Sequence, residues 1–218
     1  MRGYYVAAFS TAHYRHRDPH AYIAYGTPRR QIRRVTLNEE TSFFLLLLAH
    51  SDPIPAHDAE QQKTVLAHLF ADSGWETQEI LAALETAGDF YLDRVSQVVM
   101  PNWTRGRLAL LGDACACPSL LAGEGSSMAM AEAYTLAGEL LVSGGDHERA
   151  FRDYGQRLRP HVERKQKGAR GFAASFVPKS AFGLWLRNAS LNATTRLGLT
   201  RLLFRAQLRD SLQLGNYP

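Results

Sequence analysis

The chain has 218 residues and only two cysteines, Cys115 and Cys117. A disulfide framework of the kind that staples small secreted domains is therefore excluded. Standing one residue apart, the two thiols are poorly placed to bridge each other, and no partner His/Cys set accompanies them to make a metal site. Long apolar runs are also scarce. The longest block, Phe43 to Ala49, falls far short of the ~20 residues a spanning helix needs. The N-terminus shows no cationic stretch followed by an apolar run, so no secretory signal is read there. The expectation is a cytoplasmic protein with no membrane span. Asn102, Asn188 and Asn192 open glycosylation-like triplets, which carry no meaning without such a signal. Internal repeats and low-complexity segments are absent.

What is present is a chain with 45% hydrophobic and 21% charged residues, long enough to bury a real core in one domain or two small ones. Its charge is unevenly placed: 11 basic and 18 acidic residues lie between Met1 and Glu148, against 14 basic and 3 acidic from Arg149 to Pro218. A cationic C-terminal third permits contacts with phosphates, anionic lipid or an acidic partner, and a solvated helical face is the preferred reading. No aromatic-interleaved basic motif accompanies the charges, so nucleic-acid binding is not expected. His13, His16 and His20 share one loop and could hold a metal only fortuitously, so no metal site is expected.

Gly3 to Ser10 and Tyr22 to Tyr25 are rich in aromatic and β-branched residues and read as a hairpin with a long polar loop. Gln31 to Leu37 and Ser42 to Ala49 continue the pattern across turn chemistry at Asn38, Glu39 and Glu40, giving four strands of an antiparallel sheet. Apolar spacing predicts helices over Ala59 to Ala71 and Gln78 to Ala87. Phe90 to Met100 returns to strand character, and Leu108 to Leu111 reads as a buried strand. A helix from Gly123 to Leu141 ends at a glycine stop, and Asp146 caps the next one. Pro160 should kink or divide that helix, and Gly168 and Gly171 should break it. Lys179 to Asn188 and Ala193 to Leu208 read as two further amphipathic helices. The fold class is α+β.

The informative passage runs from Gly106 to Ala137, GRLALLGDACACPSLLAGEGSSMAMAEAYTLA. An acidic side chain at the carboxyl end of a strand, Asp113, can accept hydrogen bonds from sugar-like hydroxyls. Small residues at Gly123 and Gly125 let the backbone approach a planar ring. The helix that follows offers free N–H groups and a partial positive charge to an anionic oxygen or ring nitrogen.

This passage resembles the second flavin motif of the FAD-dependent monooxygenases related to para-hydroxybenzoate hydroxylase and the tetracycline-inactivating enzymes. In that family the motif reads strand, Gly-Asp-Ala-Ala-His, a Pro-containing loop, Gly-Gln-Gly and helix. Gly112, Asp113, Ala114, Gly123 and Gly125 match it in identity and spacing. The lead-in from Asp93 through Trp103 to Arg107 and the follow-on from Tyr134 to Leu140 are similar as well. Departures are Ala116 for the His, Leu120 for a second Pro, Glu124 for the Gln, Ser127 for an Asn and Glu132 for a helical Asp. A carboxylate at position 124 opposes an anionic ring unless it turns away or is protonated.

The resemblance implies a partial FAD/NAD(P)-binding fold in three parts: a substrate-covering antiparallel sheet with two helices over residues 1–100, a partial FAD-binding segment over 101–145, and a helical region over 146–218. It implies cofactor contacts at Gly112, Asp113, Ala114, Gly123, Glu124, Gly125, Ser126 and Ser127, with Asp113 on the ribityl chain and Gly123 to Ser127 against the pyrimidine end of the isoalloxazine. Backbone amides there would stabilise charge on the reduced ring. The reaction implied is hydroxylation of an aromatic or polyketide-like small molecule with FAD, NAD(P)H and oxygen. Catalytic residues are not identified. No Gly-x-Gly-x-x-Gly turn follows a strand anywhere, and Gly168-Ala169-Arg170-Gly171 does not fit one. The N-terminal dinucleotide-binding unit must then come from a companion chain or have been lost. A non-catalytic remnant or binding module of the same fold is the alternative, and a basic-helix binder of an anionic partner is a further one.

Overall fold

The computed structural model describes residues 3–15, 18, 21–38, 40–198, 212 and 214–218, without the side chains of 170–174. The chain divides into two compact units, Met1–Val95 with Ala174–Ser190, and Ser96–Ala173 with Leu191–Pro218.

The first unit is built on a five-stranded antiparallel sheet of β1 (Tyr4–Ala12), β2 (Tyr22–Thr27), β3 (Arg30–Thr36), β4 (Thr41–Ala49) and β5 (Tyr91–Arg94), in the order β2-β3-β4-β1-β5. Period-2 alternation decides which side chains reach the core. Tyr5, Ala7 and Phe9 of β1, Ile32 of β3, and Phe44, Leu46 and Leu48 of β4 face α1 (Ala59–Phe70) and α2 (Thr77–Thr86), where Leu66, Phe70, Ile80 and Leu84 close the core. Strand β4 is buried on both faces, which explains its unbroken apolar sequence. Asp58 caps α1 by accepting from the Gln61 N–H at 3.0 Å.

The expected hairpin between the first two strands is not formed. β1 pairs with β4 and β5, and among the described residues β2 pairs only with β3, at the sheet edge. Alternation specifies strands and faces, and a long loop leaves the partner open.

The second unit opens with a short hairpin, β6 (Thr104–Arg105) against β7 (Leu108–Ala109). A one-turn helix α3 (Asp113–Ala116) follows, then a 3-10 turn (Leu120–Ala122), the helix α4 (Gly125–Val142) and the first part of α5 (His147–Phe176). Trp103, Cys115, Ala116, Met128, Tyr154, Leu158 and Val162 form its core. The buried strand expected at Leu108 to Leu111 is corrected: it pairs along one edge for two residues, and Leu108 is 73% exposed.

Three helical expectations also change. α5 runs through Pro160 unbroken, because the one carbonyl this leaves without a helical donor belongs to the exposed Gln156. Neither Gly168 nor Gly171 ends it. Residues Ala181–Arg196 form a single helix α6 where two were expected, and the stretch to Leu208 lies outside the described residues from 199 onward, as do His16 and His20. Asp146 does cap α5, its Oδ1 accepting from Glu148 and Arg149 N–H groups at 3.1 and 3.2 Å. Between Phe90 and Met100 strand character is confined to β5, and among the described residues no helix is long and apolar enough to cross a membrane.

Candidate functional site

The turn that leads into α3 depends on Gly112. Its φ of 62° and ψ of −145° lie in a region that side chains other than glycine's scarcely enter, and a methyl group there would stand 3.2 Å from the Ala129 Cβ. Close approach brings Gly112 against α4, where its N–H donates to Glu132 Oε2. Glu132 is 1% exposed, and its other oxygen, Oε1, has no hydrogen-bond partner among the described residues. Burial holds this carboxyl above the usual glutamate range, with the Gly112 N–H pulling the other way.

Asp113 and Ala114 emerge from the turn exposed. Asp113 Oδ1 lies 3.5 Å from where a Gly125 Cβ would stand, an ordinary contact distance that sets the carboxylate beside the first residue of α4. Gly123, at φ 67°, closes the 3-10 turn in the left-handed region with open space where its side chain would be. The first intrahelical bond of α4 runs from Met128 N to Glu124 O, leaving the earlier N–H groups to point outward. Together Asp113, Gly123, Gly125 and Ser126, with Cys117, Pro118, Ser119, Leu120 and Ala129, wall a cavity of about 410 Å³. That is within the ~300–1,000 Å³ typical of small-molecule sites.

Of the eight residues expected at the site, these four line the cavity. Gly112 shapes the turn behind it, Ala114 sits on the outer face of α3, and Ser127 hydrogen-bonds the Glu124 carbonyl at 2.9 Å. Glu124 turns away and pairs with Lys165 of α5, Oε1 to Nζ at 2.7 Å. The carboxylate thereby has a counter-charge, and Glu124 is not among the residues that wall the cavity.

Sequence reasoning missed the residues that hold the loop. Gln97 Nε2 donates to the Pro118 carbonyl at 2.6 Å, and Gln166 Nε2 to the Val98 carbonyl at 2.7 Å, tying residues 97–98, the loop and α5 together. These contacts span tens of residues, and no local pattern announces them. Much of the basic surface of α5 is likewise engaged within the unit: Arg157 pairs with Glu139 at 3.1 Å, and Arg159 lies 4.9 Å over the Trp103 ring.

The residues present fit a flavin. They provide a carboxylate for hydroxyl groups, an open helix N-terminus for a polar ring edge, and glycines where a planar group must come close.

No family model matches the sequence. A flavin-dependent monooxygenase of Legionella longbeachae is 47% identical over 122 residues, 56% of this chain and 31% of that protein. A second flavin-dependent monooxygenase, from an unknown prokaryotic organism, is 35% identical over 191 residues, 87% of this chain and 46% of that protein. Among solved structures, the tetracycline destructases Tet(55) and Tet(51) superpose with TM-scores of 0.80 and 0.78 at 31% and 30% identity, over 99% of this chain and 55% of theirs. HpxO of Klebsiella pneumoniae, solved with FAD and uric acid, shares the fold at a TM-score of 0.66 and 20% identity. Over most of its length the chain is similar to the C-terminal portion of flavin-dependent monooxygenases, in sequence and in fold. It spans less than half the length of these curated relatives.

Proposed function

We propose that this chain supplies the second flavin-binding segment and the substrate sheet of an FAD-dependent monooxygenase that hydroxylates an aromatic or polyketide-like small molecule with NAD(P)H as reductant. The observation that carries the reading is the cavity walled by Asp113 and the start of α4. FAD bound there would carry reducing equivalents from NAD(P)H to oxygen. Asp113 would hold the ribityl hydroxyls, and the N–H groups from Gly125 onward would meet the pyrimidine edge, with Gly123 giving the ring room. Lys165 removes the repulsion that Glu124 would otherwise exert. The three parts at 1–100, 101–145 and 146–218 would serve as substrate sheet, flavin segment and helical support. A cytoplasmic location accords with Cys115 and Cys117 being free thiols.

The reading requires a unit that binds the pyrophosphate of FAD, and we place it on the outer face of α4. That face presents Met130, Ala133, Ala137 and Leu141 to solvent, whereas Glu132, Thr135 and Glu139 are turned inward. An exposed apolar stripe opposite a buried polar one is the reverse of a surface helix and marks a face built to be covered.

The test is flavin binding followed by fluorescence quenching, in this chain alone and mixed with a separately produced N-terminal half of a tetracycline destructase. Binding should strengthen on mixing, and Asp113→Ala should weaken it by about tenfold or more. A chain that never binds flavin, alone or mixed, would leave the non-catalytic binding module as the correct reading.

A further inference from the structure

We infer that the first unit carries a binding site for a small organic carboxylate, built from Arg33, Arg187 and Tyr22. Two adjacent arginines of β3 make the case by contrast. Arg34, on the α1/α2 face, is 3% exposed and meets two carboxylates, Asp18 at 2.7 Å and Glu76 at 3.4 Å. Arg33, on the opposite face, is 9% exposed and has none among the described residues. Its Nε donates to Gln31 Oε1 and its Nη1 to Tyr22 Oη, both at 2.7 Å, and its guanidinium lies 4.1 Å over the Phe176 ring. A buried cation held only by neutral groups is costly, and proteins pair such charges.

A second cation approaches the same place. Arg187 of α6 donates to the Phe176 carbonyl at 2.9 Å and, among the described residues, otherwise bonds only Asn188 Oδ1. Both guanidinium groups meet Phe176, Arg33 over its ring and Arg187 at its carbonyl, and the Arg33 charge adds to burial in lowering the Arg187 pKa. Room for both comes from the edge strand: Ala24 stands opposite Arg33 in the register, and a Cβ on Gly26 would come within 3.2 Å of Arg187 Nη2. Two like charges converging without a counter-charge are stabilised by an anion shared between them.

The donors left over suit a carboxylate. Among the described residues Arg33 Nη2 makes no hydrogen bond, and Tyr22, accepting from Arg33, donates its own proton to none. Tyr22 is 59% exposed, so the site is open at the sheet edge. Its two-pronged donors match the paired oxygens of a carboxylate better than a halide or a neutral amide.

The test needs no flavin and so stands or falls apart from the monooxygenase reading. The full chain is titrated with benzoate and with benzamide, equal in shape and differing in charge, by NMR or calorimetry. Benzoate should bind about tenfold or more tightly than benzamide, and Arg187→Gln and Tyr22→Phe should each weaken benzoate several-fold, roughly the worth of one charge-assisted hydrogen bond, with unchanged melting temperatures. Arg33→Met should abolish binding, and should it fail to fold, the two exposed-side variants decide. Equal binding of the two probes, no benzoate binding in the millimolar range, or benzoate affinity indifferent to Arg187 and Tyr22 would overturn the site.

Discussion

At the scale of single residues, the buried carboxyl of Glu132 ties the Gly112 turn to α4, and its titration sets a pH dependence. Burial raises its folded value, so the folded protein holds a proton that the unfolded chain releases. The stability this represents is full below the unfolded glutamate value of about 4.3 and is lost as pH rises through the folded value. Glu132→Gln should therefore match or exceed the native protein in melting temperature near pH ~8 and fall behind it near pH ~4.5. A constant offset across that range would show that Glu132 does not titrate between the two states. The thiols beside it differ in reach. Cys115 is buried and pushed up to about 11 by burial and by Glu132, whereas Cys117 lines the cavity partly exposed. Iodoacetamide at pH ~8 should label Cys117 well before Cys115, since the thiolate is the nucleophile, and bound flavin should slow that first labelling. Peptide mass spectrometry reads both, and equal labelling of the two thiols would contradict it.

At the scale of elements, α4 is held from two sides. Its inner face meets the core, and near its C-terminus the Tyr217 ring sits on Gly138, where even a methyl group would overlap it. Tyr217 Oη donates to Glu139 Oε1 at 2.7 Å, and Tyr134 Oη donates to the Gly215 carbonyl at 3.2 Å. Gly138→Ala should thus expel the tail, at a cost of about 1–3 kcal/mol in urea unfolding. Adding Tyr217→Ala to that variant should cost little more, the coupling expected of neighbours. The same elements show what was legible in advance. Asp146 and Gly123 carry their own local signals, and the Gly-Asp turn could be placed because its geometry lies within a few residues. The partner of β1, the unbroken passage of α5 through Pro160 and the Glu124–Lys165 pair all depend on residues far along the chain. Periodicity does not encode those, because it reports which face a residue occupies and not what that face meets.

At the scale of the whole molecule, the exposed apolar surface of the second unit poses a question of solubility and of partnership together. Met130 is 67% exposed and Leu108 73%, and Leu110 and Leu111 join them on the segment that ends at Gly112. Because Gly112 packs against Ala129, this segment meets α4 beside the same stripe. Scattered exposed leucines are ordinary, but a stripe along a helix adjoining an apolar strand end is a surface that other chains find. Changing a side chain already in water removes little folded-state contact, so Leu108→Ser and Met130→Ser should each shift stability by no more than about 0.5 kcal/mol. They should nonetheless lower self-association in sedimentation and weaken the complex with an added N-terminal half. Were these residues merely exposed, the variants would leave both measurements alone; were they part of the fold's own core, melting temperature would fall instead. Only a face built to be covered gives loss of association with stability retained.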